Sequence, residues 1–243
     1  MITDDKRERY GRQLPLFGEA GQENLQSARV FVAGVGGLGS VIAVYLAAAG
    51  VGTLRVADDD VVESSNFNRQ ILHWHGDLGR PKTASAMEKL SALNPCGRVE
   101  EIQGRIEEAG VDEMIRDCDL IVDAVDNFPT RYILNRAALR RGIPFVHGAV
   151  RGFFGQATTV IPGKGPCLRC VFPVGPPPES SPIVGATCGV IGSLEALEAI
   201  KILTGKGETL IGRLFLWDGL TASADTLSVE RNPACPDCGG PTG

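Results

Sequence analysis

The chain has 243 residues, 43% hydrophobic and 22% charged, which suits one large α/β domain or a domain with a small appendage and argues against a disordered chain. A formal net charge of −5 gives no field for nucleic acid or an anionic membrane, so neither is expected as a partner and any cation that matters must act locally. Seven cysteines with no apolar secretion segment in the opening MITDDKRERYGRQ argue against a disulfide scaffold, in favour of metal binding or isolated thiols, and for a cytoplasmic protein.

Residues 4–12 read as a charged helix with Arg9 and Arg12 on its solvated face, and 18–24 as a turn into a second short helix. Together they make residues 1–28 an N-terminal helical arm. The next stretch, RVFVAGVGGLGSVIAVYLAAAGVGTLRVADDD from Arg29 to Asp60, predicts strand, glycine turn, helix and strand. Its apolar segment near Val41 to Val51 is too short and glycine-bounded to span a bilayer. Gly34, Gly36 and Gly39 match a pattern in which missing β-carbons permit a tight turn, let phosphate approach the backbone and let the helix pack on its strand. Asp58 follows Gly39 by 19 residues and ends the second strand, where a carboxylate can accept from ribose hydroxyls. A nucleotide is therefore expected, of a kind that this unit alone does not specify.

In VVESSNFNRQ, Asn66 and Arg69 are three apart and would share one face of a helical turn, directed at the nucleotide. Pro81 suits a first helical position, which puts Lys82 in the first turn of a helix that stops before Asn94-Pro95. A cation there opposes the helix dipole and gains nothing without an anion to bind. A strand at 99–102, a helix at 107–116 and an apolar strand at 119–125 follow. That last strand ends at Asp126-Asn127, so Asp126 is a candidate for magnesium or for the phosphate side and also for a cap of a helix over 129–141, two roles that can coexist. Residues 144–150 complete a nucleotide-binding half at 29–150. GFFGQATTVIPG then predicts antiparallel continuation. A helix at 189–204 closed by Gly205 and a strand at 213–217 complete the elements of 151–243, a β extension, crossover loop and tail. The fold class is α/β, a Rossmann-like mostly parallel sheet extended by antiparallel strands.

Cys167, Cys170, Cys235 and Cys238 form two CxxC pairs with 64 residues between the inner cysteines, the pattern of four thiolates around one tetrahedral zinc with no open position. The ion would be structural and clamp the tail. Cys96 and Cys118 read as inert thiols, Cys188 as a packing residue despite its place near a helix amino end, and His73, His75 and His147 have no ligand spacing.

RYGRQ (Arg9 to Gln13), GVGGLGS (Gly34 to Ser40), DDD (Asp58 to Asp60), SNFNRQ (Ser65 to Gln70), GRPK ending at Lys82, VDN (Val125 to Asn127), the paired CxxC and GVIGSLEALEAIK together resemble the ThiF/MoeB/HesA family, bacterial relatives of ubiquitin-activating enzymes, over nearly the whole chain. The resemblance implies a single adenylation domain at 1–243 that uses ATP and Mg²⁺ to adenylate the C-terminal Gly-Gly tail of a ubiquitin-like sulfur-carrier protein. It implies catalytic roles for Arg12, Arg69, Lys82 and Asp126, with Asp58 on the ribose, the Gly34 to Gly39 turn toward adenosine and Asn66 on a phosphate. Gly37, Asp60, Ser65, Asn68 and Asn127 join that nucleotide set. It also implies a homodimer in which Arg12 reaches the neighbour's site. One departure stands out: VFPVGPPPESSPIVGAT has no cysteine where several members carry a covalent one, and holds Ser180 and Ser181 instead. The expected enzyme therefore stops at the acyl-adenylate and leaves sulfur transfer to a separate protein. The alternatives are a non-catalytic carrier-binding scaffold, an enzyme adenylating a different carboxylate, and an NAD-dependent oxidoreductase, which leaves Arg69, Lys82 and Asp126 without a task.

Overall fold

A computed structural model describes residues 3–176 and 182–239. Its helices are α1 (Asp4–Tyr10), α2 (Leu14–Ser27), α3 (Gly37–Ala49), α4 (Lys82–Leu93), α5 (Val111–Met114), α6 (Phe128–Arg141), α7 (Leu168–Val171) and α8 (Gly185–Thr204). Its strands are β1 (Arg29–Ala33), β2 (Thr53–Asp58), β3 (Arg98–Gln103), β4 (Leu120–Asp123), β5 (Phe145–Arg151), β6 (Phe154–Val160), β7 (Arg213–Asp218) and β8 (Ser223–Ser228). They form one sheet in the order β3-β2-β1-β4-β5-β6-β7-β8. The first five are parallel and the last three antiparallel, as the sequence leads one to expect.

Alternation along the central strands builds a core on each face. Val30, Val32, Val122 and Val146 pack with Leu38, Ile42 and Leu46 of α3, Leu90 of α4 and Ile191 of α8. Phe31, Ile121 and Phe145 pack on the other side with Ile115, Leu134 of α6 and Leu168. With both faces covered, these strands read as unbroken apolar runs. Among the described residues no helix is long and apolar enough to cross a membrane.

Several expected boundaries move for local reasons. The helix placed at 107–116 forms only over Val111–Met114, because Gly110 stands before it as its N-cap. The strand drawn to Val125 stops at Asp123, whose carboxylate turns back to accept the Val125 N–H at 3.1 Å. Pro81 is the N-cap rather than the first residue of α4, so Lys82 opens the helix. The turn expected at 18–24 is a kink at Gly18 (φ 72) inside α2. The last long helix begins at Gly185, which places Cys188 within its first turn, and it closes at left-handed Gly205 as expected. The exposed edge strand β8 was not anticipated, since SADTLS lacks apolar alternation.

Candidate functional site

β1 and β4 are neighbours whose outgoing chains turn to opposite sides of the sheet, which opens a crevice beyond their carboxyl ends. The glycine turn lies in it. Gly34 has φ 95, and a β-carbon on Gly39 would lie 2.0 Å from the Gly34 carbonyl oxygen, so turn and helix can meet only with glycine at both places. Gly36 caps α3 without a side-chain bond, which leaves the first-turn N–H groups facing the crevice for an anion. A β-carbon on Gly34 would also meet the Ala124 carbonyl at 2.8 Å, so the chain leading to Asp126 runs directly against this turn.

Asp58 ends β2, its Oδ2 accepting the Val35 N–H at 2.9 Å and its Oδ1 the Asp60 N–H at 3.0 Å. It thus braces the glycine turn and keeps lone pairs for a ribose. Lys82 meets the anion that its position requires. Its Nζ is 2.7 Å from Asp60 Oδ2, and its backbone N–H donates to the Asp60 carbonyl at 3.0 Å. Asp59 pairs with Arg105 at 2.8 Å.

Ser64, Ser65 and Asn66 form a 3₁₀ turn in which Asn66, buried, accepts the Glu63 N–H at 3.0 Å through Oδ1. The capping consumes that oxygen and leaves the amide Nδ2 as the group able to meet an anion. That amide donates to Ser65 Oγ at 3.4 Å. The half-buried Arg69 donates to the Ser65 carbonyl at 2.9 Å and to Asn68 Oδ1 at 3.0 Å, both neutral acceptors. Its Cγ would lie 3.6 Å from a β-carbon on Gly37, and Gln70 covers Gly36, so Asn66 to Gln70 roofs the turn. The Asn68 carbonyl touches Gly185 at the start of α8.

Asp126 is exposed, and its Oδ1 accepts from Asn127 Nδ2 at 3.3 Å. The cap reading considered for it is corrected: Asn127 caps α6, accepting the Thr130 N–H at 2.9 Å. Asp126 therefore has its carboxylate free of that duty.

Arg12 stands apart from this group. It is exposed beside Gln13, whose Nε2 donates to the carbonyl of Ala49, the last residue of α3. The glycine turn lies at the other end of that helix, about 20 Å away at roughly 1.5 Å per residue. Arg12 does not enter the site of its own chain. Ser180 and Ser181 lie outside the described residues.

The four cysteines meet as expected. Sγ separations are 3.9 Å for Cys167–Cys170, 3.6 Å for Cys167–Cys235 and 3.4 Å for Cys170–Cys238. Four sulfurs at about 2.3 Å from one tetrahedral zinc would stand about 3.8 Å apart, so the donor set fits a metal ion. Asn135 of α6 ties the two halves, accepting the Leu168 N–H and donating to Asp237. Cys188 is buried with its Sγ 2.8 Å from where a Gly37 β-carbon would be, and burial pushes its thiol pKa up, as a packing residue requires.

Several polar residues without an assigned role prove central. His73 bridges Ser85 Oγ and the Val35 carbonyl, each at 2.9 Å, and so ties α4 to the glycine turn. Burial holds its pKa below the usual value. Asp123, Arg131, His147 and Glu195 form a buried group beneath the Asp126 loop. Their one visible signal is Asp123 at the end of an apolar strand; a buried arginine or glutamate on a helix has no mark of its own in the sequence.

The ThiF family profile matches residues 10–237. The chain is similar to the "SAMP-activating enzyme E1" of Haloferax volcanii, with 45% identity over 96% of this chain and 88% of that one. It is 46% identical to the "Sulfur carrier protein adenylyltransferase" of Thermus thermophilus, over 98% of this chain and 92% of that one. Among solved structures, E. coli MccB with MccA-N7isoASN superposes with a TM-score of 0.88 at 23% identity, over 98% of this chain and 76% of that one, a likeness of fold.

Proposed function

The chain belongs to the ThiF family, and from that membership together with the site we propose that it is an ATP-dependent adenylyltransferase acting on a ubiquitin-like sulfur-carrier protein. The carrier's C-terminal glycine carboxylate attacks the α-phosphorus of ATP, its new O–P bond replaces the α–β bridge, and pyrophosphate leaves. The observation that supports this reading is the packing of Arg69 on Gly37 and of the chain leading to Asp126 on Gly34, with Lys82 paired to Asp60 just beyond the Asp58 that bonds the glycine turn, in a chain nearly half identical to a sulfur carrier protein adenylyltransferase.

Two anions must approach and a third must depart, so fixed cations and N–H groups are what the reaction needs. The N-terminus of α3 supplies N–H groups. Lys82 turns from Asp60 to the phosphates, Arg69 leaves its neutral acceptors for them, and Asn66 donates through its amide. Asp58 accepts from the ribose, with Ser65, Asn68 and Asn127 shaping the rim. The exposed Asp126 carboxylate suits Mg²⁺, which when bound would neutralise charge on the triphosphate. Arg12, distant from its own site, completes that of a second copy in a homodimer. The cysteine cluster holds a structural zinc.

The product is the acyl-adenylate, without a thiol relay on this chain. Cys188 and Cys118 are buried, the latter thiol pushed up to about 11 by burial. Cys96 lies beside Asn94, which bonds the Ala47 carbonyl at the far end of α3.

The test is carrier-dependent exchange of labelled pyrophosphate into ATP, with a carrier ending in Gly-Gly and a tail-truncated control. Exchange that requires the intact tail is expected. ATP and carrier binding without exchange would instead favour a scaffold.

A further inference from the structure

We infer that Arg131 is a positioning residue for the Asp126 carboxylate, acting through the peptide bond that joins Val125 to Asp126. The proposal rests on the reading of Asp126 as the carboxylate on the magnesium side of the nucleotide.

Asp123, fully buried at the end of β4, accepts the Val125 N–H at 3.1 Å through Oδ1. Its Oδ2 takes His147 Nδ1 at 2.7 Å and faces Arg131 Nε at 3.2 Å. Arg131 Nη2 donates to the Val125 carbonyl at 2.7 Å and reaches the Gly148 carbonyl on β5 at 3.3 Å. Val125 is thus held at its N–H by Asp123 and at its C=O by Arg131, and that carbonyl belongs to the peptide plane of Asp126. On the other side Asn127 is locked by its cap to Thr130. The backbone is fixed before and after Asp126 while its carboxylate stays exposed.

The surrounding charges suit a rigid support rather than a reacting group. Arg131 and Asp123 neutralise each other. Burial holds His147 below its usual pKa and Glu195 well above its own, which favours the uncharged form of each. Phe128 lies 5.0 Å from the guanidinium and closes one side. Arg131 meets Asp123 through Nε and both carbonyls through Nη2, a spread over two nitrogens of a planar fork that the single ammonium of a lysine does not reproduce in full.

The experiment compares wild type, Asp126→Asn, Arg131→Gln and Arg131→Lys by calorimetric binding of ATP with and without Mg²⁺, amide hydrogen exchange over 124–127, and melting temperature. Arg131→Gln is expected to leave metal-free ATP binding within about twofold, to raise the half-saturating Mg²⁺ concentration by roughly tenfold, as loss of an outer support does at metal sites, and to speed exchange of the loop amides. Arg131→Lys, which keeps the charge beside Asp123, falls between, and it carries the comparison should the glutamine variant not fold. A lowered melting temperature with wild-type Mg²⁺ dependence and loop exchange, beside a normal loss in Asp126→Asn, overturns the proposal alone. Wild-type Mg²⁺ dependence in Asp126→Asn overturns the reading of Asp126 and the proposal with it.

Discussion

Lys82 and Asp60 form an ion pair whose ends lie in different surroundings. The atoms are 2.7 Å apart, yet the lysine side chain is 6% exposed and the aspartate 66% exposed. The buried cation is fixed in place and the exposed anion is the replaceable partner, so a phosphate can take its position at small cost.

Replacing Lys82 by alanine should therefore act on catalysis far more than on folding. Asp60 returns to water when its partner goes. Pyrophosphate exchange is expected to fall by a factor on the order of 10² to 10³, as when one charge-stabilising donor is removed, with melting shifted by only a few degrees. An exchange rate near that of wild type would remove Lys82 from the phosphate side.

Arg12 offers a test of the dimer. In the homodimer reading, Arg12→Ala loses on the order of 10³ in exchange rate, as arginine fingers do. Because the two changes sit on different chains of any one site, mixing Arg12→Ala with Lys82→Ala should restore about a quarter of wild-type activity in statistically mixed dimers. No recovery on mixing, with subunit exchange verified by mass, would place Arg12 outside the partner's site.

How much of this was legible beforehand follows a physical divide. The glycine turn, Asp58, Lys82 and the cysteine pairs stand at element ends, where backbone geometry or ligand spacing restricts the residue type and so marks it. The residues that hold them together were not legible. Asp123 ends a strand early by bonding its own backbone, and Arg131, His147 and Glu195 meet only because α6, β5 and α8 are packed around one sheet end. Their partners lie far apart in sequence and follow no short spacing. β8 was invisible for another reason: an exposed edge strand buries no face, so no alternation is imposed on it.

In the structural-zinc reading, removing the metal should loosen the tail first. Asn135 spans from Leu168 to Asp237, so the cysteine cluster locks the last described residues onto α6. Cys235→Ser is expected to lower bound zinc from about one per chain to near zero and the melting temperature by about 10 °C, at roughly 2–4 °C per kcal/mol for a chain of this size. Full zinc content in that variant, measured by elemental analysis, would refute the four-cysteine ligand set.

Glu195 makes a prediction about pH. It is fully buried against Gly148, neither carboxyl oxygen has a hydrogen-bond partner among the described residues, and burial with nearby Asp123 raises its pKa well above the usual range while Arg131 opposes the shift. In the unfolded chain the same group ionises near its ordinary value of 4.5. Between the two the folded state binds the extra proton, so this residue makes stability fall as pH rises above about 4.5, by up to about 1.4 kcal/mol per pH unit until the folded pKa is reached. Glu195→Gln keeps the shape and removes the ionisation. Its stability advantage over wild type, from urea unfolding at pH 5, 6, 7 and 8, is expected to grow with pH. Buried His73 and His147 act oppositely in both proteins, losing stability below about pH 6.5, and cancel in the difference. An advantage that stays constant over this range would mean that Glu195 is ionised in the folded protein, leaving Arg131 to serve two carboxylates.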